Sequence, residues 1–161
     1  MIQRAPELMR AVSTLFDGCQ VEPDESVVIY ADNGRKRQLA DLFFAQARAR
    51  GCDATQLWVE SRMPQVEPPV PCIEAMKSAK VVFDISGSSW LYTPAHREVV
   101  GTGHTRMLQV SGPESALIER PPVPEIVGRA LAAAELFDSA ANQSVRVTSQ
   151  LGSDLVASYK G

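Results

Sequence analysis

The 161-residue chain carries 16 Lys and Arg against 19 Asp and Glu, a formal net charge of −3, with 45% hydrophobic and 22% charged residues. That is the composition of a globular domain long enough to bury a real core, and it excludes a largely disordered chain. An acidic balance without a basic run speaks against a duplex nucleic-acid binder, and no apolar run reaches the ~20 residues of a membrane span.

The N-terminus lacks the basic start and apolar run of a signal peptide. Cys19, Cys52 and Cys72 form no CxxC pair, so the expected compartment is a reducing cytoplasm without a disulfide scaffold. Leu8, Met9, Val12, Leu15, Phe16 and Cys19 recur at helical spacing and predict a first helix that ends near Gly18. Residues 26–31, Ser-Val-Val-Ile-Tyr-Ala, read as a strand buried on both faces, the pattern of a parallel sheet. Asp32-Asn33-Gly34 breaks the chain into a helix over 35–50, facing inward through Leu39, Leu42, Phe43 and Ala47. A second strand is predicted at 54–59, and the four prolines within residues 60–71 predict an extended loop.

A short helix over 72–78 leads to a third strand at 80–85, followed by the small residues Ser86-Gly87-Ser88-Ser89. Thr93-Pro94 is a helix start, a hydroxyl cap followed by proline in the first turn. A fourth strand is expected at 106–110, then a proline-bounded loop. From Pro124 a helix of about four turns should bury Ile126, Val127, Ala130, Leu131, Ala134 and Phe137. Val145-Arg146-Val147-Thr148 then alternates with period two, Gly152-Ser153-Asp154 turns, and residues 155–159 return as a hairpin. Its Val145, Val147, Leu155 and Ala157 should pack on a partner. The fold class implied is α/β: a mainly parallel sheet of about four strands with helices on both faces, plus a C-terminal β-hairpin leading out of the domain.

Ligands of open parallel sheets bind beyond the carboxyl ends of the strands, near the switch point of strand order. Two segments should lie there, residues 32–37 and 86–92. Arg35, Lys36 and Arg37 at a helix N-terminus are anion-site candidates, against the alternative of a capped helix with a solvated basic turn. The stretch 33–38 has a single glycine, so no dinucleotide fingerprint is present. Ser86, Ser88 and Ser89 offer hydroxyls to a pocket but form no GxSxG elbow. Trp90 and Tyr92, directly after the third strand, either cap the core or line an aromatic pocket; as i and i+2 of an extended segment they would share one wall. Asp84 is the odd charge of its buried strand, expected at the strand's end and bonded to backbone N–H groups. His96 and His104, eight apart, lack the i, i+4 spacing of a helical metal pair and are expected at the surface or an interface.

Three stretches carry a resemblance: residues 79–84 followed by Trp90-Leu91-Tyr92-Thr93-Pro94, the helix 130–137, and above all the hairpin 145–155, Val-Arg-Val-Thr-Ser-Gln-Leu-Gly-Ser-Asp-Leu. The last resembles the hairpin of the thermophilic-type metallo-aminopeptidase family (aminopeptidase T) and its 2,5-dihydroxypyridine 5,6-dioxygenase relatives. The resemblance implies an α/β N-terminal domain at 1–142 and, at 143–161, a hairpin that starts or docks on a metal-binding C-terminal domain. It implies the N-terminal half or a subunit of a metal-dependent enzyme, aminopeptidase-like or ring-cleaving. Such a half would supply a pocket wall for a small aromatic or peptide-like substrate, together with oligomer contacts.

By the same resemblance Tyr92 stands where a polar residue before "[ST]-P" reaches the active site; where a relative has histidine, tyrosine keeps a hydrogen bond but does not exchange protons near neutral pH. No catalytic residue and no metal ligand is assigned within the chain. A divalent metal (Fe, Zn, Co or Mn) is expected in the C-terminal half. The expected partners are a catalytic C-terminal domain or chain, other subunits and a small-molecule substrate, with no nucleic acid and no membrane. The alternative is a free-standing α/β binding or structural module without catalysis.

Overall fold

The computed structural model describes residues 4–33, 37–61, 67–110, 112–139 and 143–158. Two compact units divide the chain at Val123 and Pro124. The first holds helices α1 (Ala5–Gly18), α2 (Arg37–Ala49), α3 (Val70–Ser78), α4 (Pro94–Val100) and α5 (Glu114–Glu119), with strands β1 (Ser26–Asp32), β2 (Asp53–Val59), β3 (Val81–Asp84) and β4 (Arg106–Gln109). The four strands form one sheet in the order β2-β1-β3-β4, and every pairing is parallel. The chain leaves β1 in one direction to β2 and crosses in the other to β3, so the switch of strand order falls between β1 and β3.

Alternation along these strands builds two cores. Val27, Ile29, Ala31, Val81, Phe83 and Ile85 pack with Val12 and Phe16 of α1 and Leu39 and Phe43 of α2. On the opposite face Val28, Tyr30 and Val82 pack with Ile73 and Met76 of α3, Ala95 and Val99 of α4, and Trp90. This two-sided burial is why β1 and β3 read as unbroken apolar runs. Phe16 stacks on Phe83 at 4.4 Å, and Phe43 closes on Phe83 at 5.1 Å. Together these rings are the centre of the first core.

The second unit contains α6 (Pro124–Ser139), β5 (Ser144–Thr148) and β6 (Asp154–Ser158). The hairpin is antiparallel, with Val145 opposite Ala157 and Val147 opposite Leu155, so these four apolar residues share one face. Gly152 makes the turn with φ +89°, and Arg146 grips Asp154 by two hydrogen bonds of 2.8 and 2.6 Å.

Most expected elements stand within two residues of their sequence positions, with four differences. A short helix, α5, occupies part of the proline-bounded segment expected as loop; its Leu117 packs on the first core, which a six-residue apolar pattern could not announce. Helix α3 starts at Val70 rather than 72, because Pro71 in the first turn forfeits no hydrogen bond. Strand β3 is four residues long, since Lys80 and Ile85 lie outside its ladder. The stripe on α6 is not buried: no residue of that helix is, and Ile126 is 61% exposed. Tyr159, expected to end the hairpin, lies outside the described residues.

Phe83→Ala removes the ring shared by both aromatic contacts and should destabilise the first unit by about 3–5 kcal/mol. Urea unfolding followed by far-ultraviolet circular dichroism measures it; a loss under about 1 kcal/mol would show that the three-ring cluster is not the centre of that core.

Candidate functional site at the carboxyl edge of the sheet

Strands β1 and β3 each end an apolar run with an aspartate, Asp32 and Asp84, and both side chains are buried, at 1% and 0% exposure. A buried carboxylate must be met by donors, and the loop after β3 supplies them. The Gly87 N–H donates to Asp32 Oδ1 at 2.9 Å; the Ser88 N–H and hydroxyl donate to Oδ2 at 3.3 and 3.1 Å. This loop is therefore stapled across the switch point to the end of β1. Asp84 takes the Ser86 N–H at 2.9 Å and the Ser86 Oγ at 2.7 Å on Oδ1, and the Gln109 amide at 3.1 Å on Oδ2.

Burial pushes the Asp84 carboxyl up from 3.8 to about 6, against the opposing pull of hydrogen bonds from Ser86, Trp90 and Gln109. The Trp90 Nε1–H closes no hydrogen bond of normal geometry, yet it faces Asp84 closely enough to favour the charged form.

The sequence candidates divide accordingly. Ser86 and Ser88 are buried and spend their hydroxyls on the two aspartates; Ser89 is exposed. Trp90 is 1% exposed and belongs to the second core, edge-on to Tyr30 at 6.2 Å. Tyr92 is 78% exposed and adopts φ +66°, a left-handed conformation that costs a non-glycine residue about 1 kcal/mol or more. Trp90 and Tyr92 thus do not share one wall, because the chain turns at 91–92 instead of staying extended. Arg37 is exposed, 3.9 Å from Asp41 and 5.6 Å over the Trp58 ring. Arg35 and Lys36 lie outside the described residues.

Glu67 and His96, outside the two segments expected at this edge, also lie here; Asp32 lies within the expected segment 32–37 but was not singled out as a site residue. Glu67 accepts the Ala95 N–H of the first turn of α4 at 3.1 Å, beside the Thr93 cap, whose Oγ1 accepts the His96 N–H at 3.3 Å. The His96 ring lies 6.0 Å from both Trp90 and Tyr92, and its enclosed Nδ1 has no hydrogen-bond partner among the described residues. His104 lies at the opposite end, where its Nε2 bonds the Lys77 carbonyl at 3.0 Å. The signal for Asp32 was available, an acid closing a continuous apolar strand as Asp84 does; Glu67 and His96 required the tertiary structure.

A crevice of about 10 Å³, room for about one water molecule, is lined in part by Tyr30, Asp32, Glu60, Glu67 and Ser88. Ligand pockets usually run to ~300–1,000 Å³, so this crevice by itself does not hold a ligand. Among the described residues no group of three or more His, Cys, Asp or Glu is placed to hold a metal ion. Burial raises all three thiols, Cys19 to about 11, which disfavours the reactive thiolate. No helix among the described residues is long and apolar enough to cross a membrane.

The fold defines an open α/β domain whose strand order switches between β1 and β3. A family model described as NicX, 2,5-dihydroxypyridine 5,6-dioxygenase, matches residues 7–161, and the chain belongs to that family. Among solved structures it is similar to 2,5-dihydroxypyridine dioxygenase from Pseudomonas putida KT2440, with TM-score 0.69 and 18% identity over 96% of this chain and 47% of that one. It is also similar to AmpT from Thermus thermophilus, with TM-score 0.53 and 13% identity over 96% of this chain and 54% of that one. At these identities the likeness is one of fold. The chain spans about half the length of each. No curated protein sequence matches it.

Two outcomes are expected here. Asp84 binds its proton more tightly folded than unfolded, so its contribution to stability is fully present below about pH 4 and is lost as pH rises through about 6. The loss is roughly 2–3 kcal/mol. Asp84→Asn should flatten that segment of a stability–pH curve from chemical denaturation; an unchanged slope between pH 4 and 6 would assign it to other groups. Trp90→Ala should cost about 3–5 kcal/mol of stability as a core truncation, read as a lowered melting temperature; an unchanged melting temperature would return Trp90 to the pocket.

Proposed function

We propose that this chain forms the N-terminal, wall-forming part of a metal-dependent ring-cleaving dioxygenase whose substrate is a small hydroxylated nitrogen heteroaromatic such as 2,5-dihydroxypyridine. The observation that carries this reading is the family match across residues 7–161. The crevice at the switch point, too small by itself for a ligand, is consistent with a site completed by further residues. Assignment of residues 1–142 to an N-terminal domain and 143–161 to a hairpin that meets a catalytic domain belongs to the same proposal, as do a cytoplasmic location and an oligomeric assembly.

In this reading the chain binds and orients. Tyr92 presents its hydroxyl to a polar substituent of the ring, at the position where the resemblance places a site residue. The Thr93 cap and the Glu67 bond to Ala95 fix the start of α4 immediately behind it. His96, seated between Trp90 and Tyr92, backs the tyrosine. Trp90 holds the loop from the core side, and Ser86 and Ser88 shape it without touching the substrate. A divalent metal, held by residues other than those described, supplies the oxygen chemistry when bound.

Oxygen uptake by the native, metal-loaded protein tests this reading. With 2,5-dihydroxypyridine, one O2 should be consumed per ring opened, with both oxygen atoms entering the product. Tyr92→Phe should lower kcat about tenfold, the equivalent of one lost hydrogen bond near 1.4 kcal/mol, with an unchanged melting temperature. Peptide hydrolysis without oxygen uptake would point to aminopeptidase chemistry, and unchanged kinetics in Tyr92→Phe would remove Tyr92 from the site.

A further inference from the structure

His96 has one ring nitrogen shut in and one left open. Its Nδ1 is enclosed and closes no hydrogen bond among the described residues. The residue as a whole is half-buried, and its Nε2 is neither enclosed nor hydrogen-bonded among those residues. A neutral imidazole carries its proton on one nitrogen and a lone pair on the other. A proton on Nδ1 would be a buried N–H without an acceptor, which folded proteins tolerate less readily than an unmet lone pair. The proton therefore belongs on Nε2, and the open side of the ring is a donor. The surroundings hold the ring in place. The His96 N–H bonds the Thr93 cap, and the Thr93 hydroxyl in turn donates to the Trp90 carbonyl at 2.7 Å. The rings of Trp90 and Tyr92 flank the imidazole at 72° and 59°.

We infer that His96 is a specificity-determining residue, more than a support for Tyr92: it donates its Nε2–H to an acceptor oxygen of a small planar ligand seated against Tyr92. A donor fixed by the burial of the other nitrogen selects chemistry. It meets a ring carbonyl or a deprotonated ring hydroxyl, and it accepts nothing from a ligand N–H. The Tyr92 hydroxyl, on a side chain 78% exposed, can donate or accept, so the polarity of recognition is set by His96. For a hydroxylated nitrogen heteroaromatic this favours the oxo, or pyridone, form over the hydroxy form. The inference deepens the proposed function by naming the atom that the ligand must offer. It rests on that reading for the ligand's being such a ring, and not for the donor.

In a His104→Gln variant, whose only histidine is His96, two-bond 15N–1H correlations of the labelled ring are recorded at pH 9, above the ordinary histidine range. They should place the proton on Nε2. 2-Pyridone, which carries the acceptor oxygen, should then shift the Nε2 resonance in a saturable way; pyridine, which lacks it, should not. With binding followed through the Tyr92 ring resonances, His96→Leu should weaken the 2-pyridone complex about tenfold, the equivalent of one hydrogen bond. His96→Gln, whose amide N–H stands near the place of Nε2–H, should bind within about threefold of the parent. A proton on Nδ1, an Nε2 resonance that ignores 2-pyridone, or a leucine variant that binds as well as the glutamine one overturns the inference. Oxygen uptake on 2,5-dihydroxypyridine without these effects sinks the inference alone; these effects without oxygen uptake sink the dioxygenase reading alone.

Discussion

The carboxyl edge of this sheet is organised by the need to satisfy two buried acids. Parallel pairing brings the ends of β1 and β3 side by side, and each strand ends in an aspartate that water does not reach. Leaving such groups unpaired would cost several kcal/mol each. The segment 86–88 therefore folds back over the edge, with donors from Gly87 and Ser88 directed to Asp32 and from Ser86 to Asp84. Once the loop is held there, Trp90 falls into the second core and the chain must reverse at once to begin α4. Tyr92 takes up that reversal with a left-handed backbone. The exposed tyrosine is thus a consequence of the staple that ends four residues upstream, at Ser88.

Much of the fold was legible because local chemistry and tertiary environment agree. The unbroken run from Ser26 to Ala31 is buried on both faces, Thr93-Pro94 caps α4 as its residue types demand, and the alternation of Val145 and Val147 matches one face of the hairpin. The position of Asp84 at a strand end, bonded to a backbone N–H, was also readable. The use of the serines was not. The partner of Ser88 lies 56 residues away in sequence, and no local pattern reveals that a hydroxyl is committed to a buried acid. The expectation that Trp90 and Tyr92 face one way assumed extended backbone, and a single positive φ removed it. The stripe on α6 was correctly periodic, but periodicity does not say what covers it.

These features set what the chain can do by itself. The crevice at the switch point is small, and Asp32, Glu60 and Glu67 line it; its Ser88 hydroxyl is already engaged by Asp32. What the edge offers outward is Tyr92, with His96 behind it. In the proposed reading such a surface orients a ligand rather than encloses one; the chain spans about half of its structural relatives. Membership of the dioxygenase family and an edge held by its own carboxylates support the proposed reading: a wall with a single strained aromatic presented from it.

The central claim is that the Asp32 carboxylate holds the 86–88 loop across the switch point, and amide hydrogen exchange in the Asp32→Ala variant tests it most directly. The account predicts that the Gly87 and Ser88 amides, protected in the parent protein by their bonds to Asp32, exchange at least tenfold faster, the loss of about 1.4 kcal/mol of local protection. The amides of Val82 and Phe83 in the sheet should keep their rates. Unchanged exchange at Gly87 and Ser88, with the sheet intact, would show that the loop holds its place without the staple and would contradict the account.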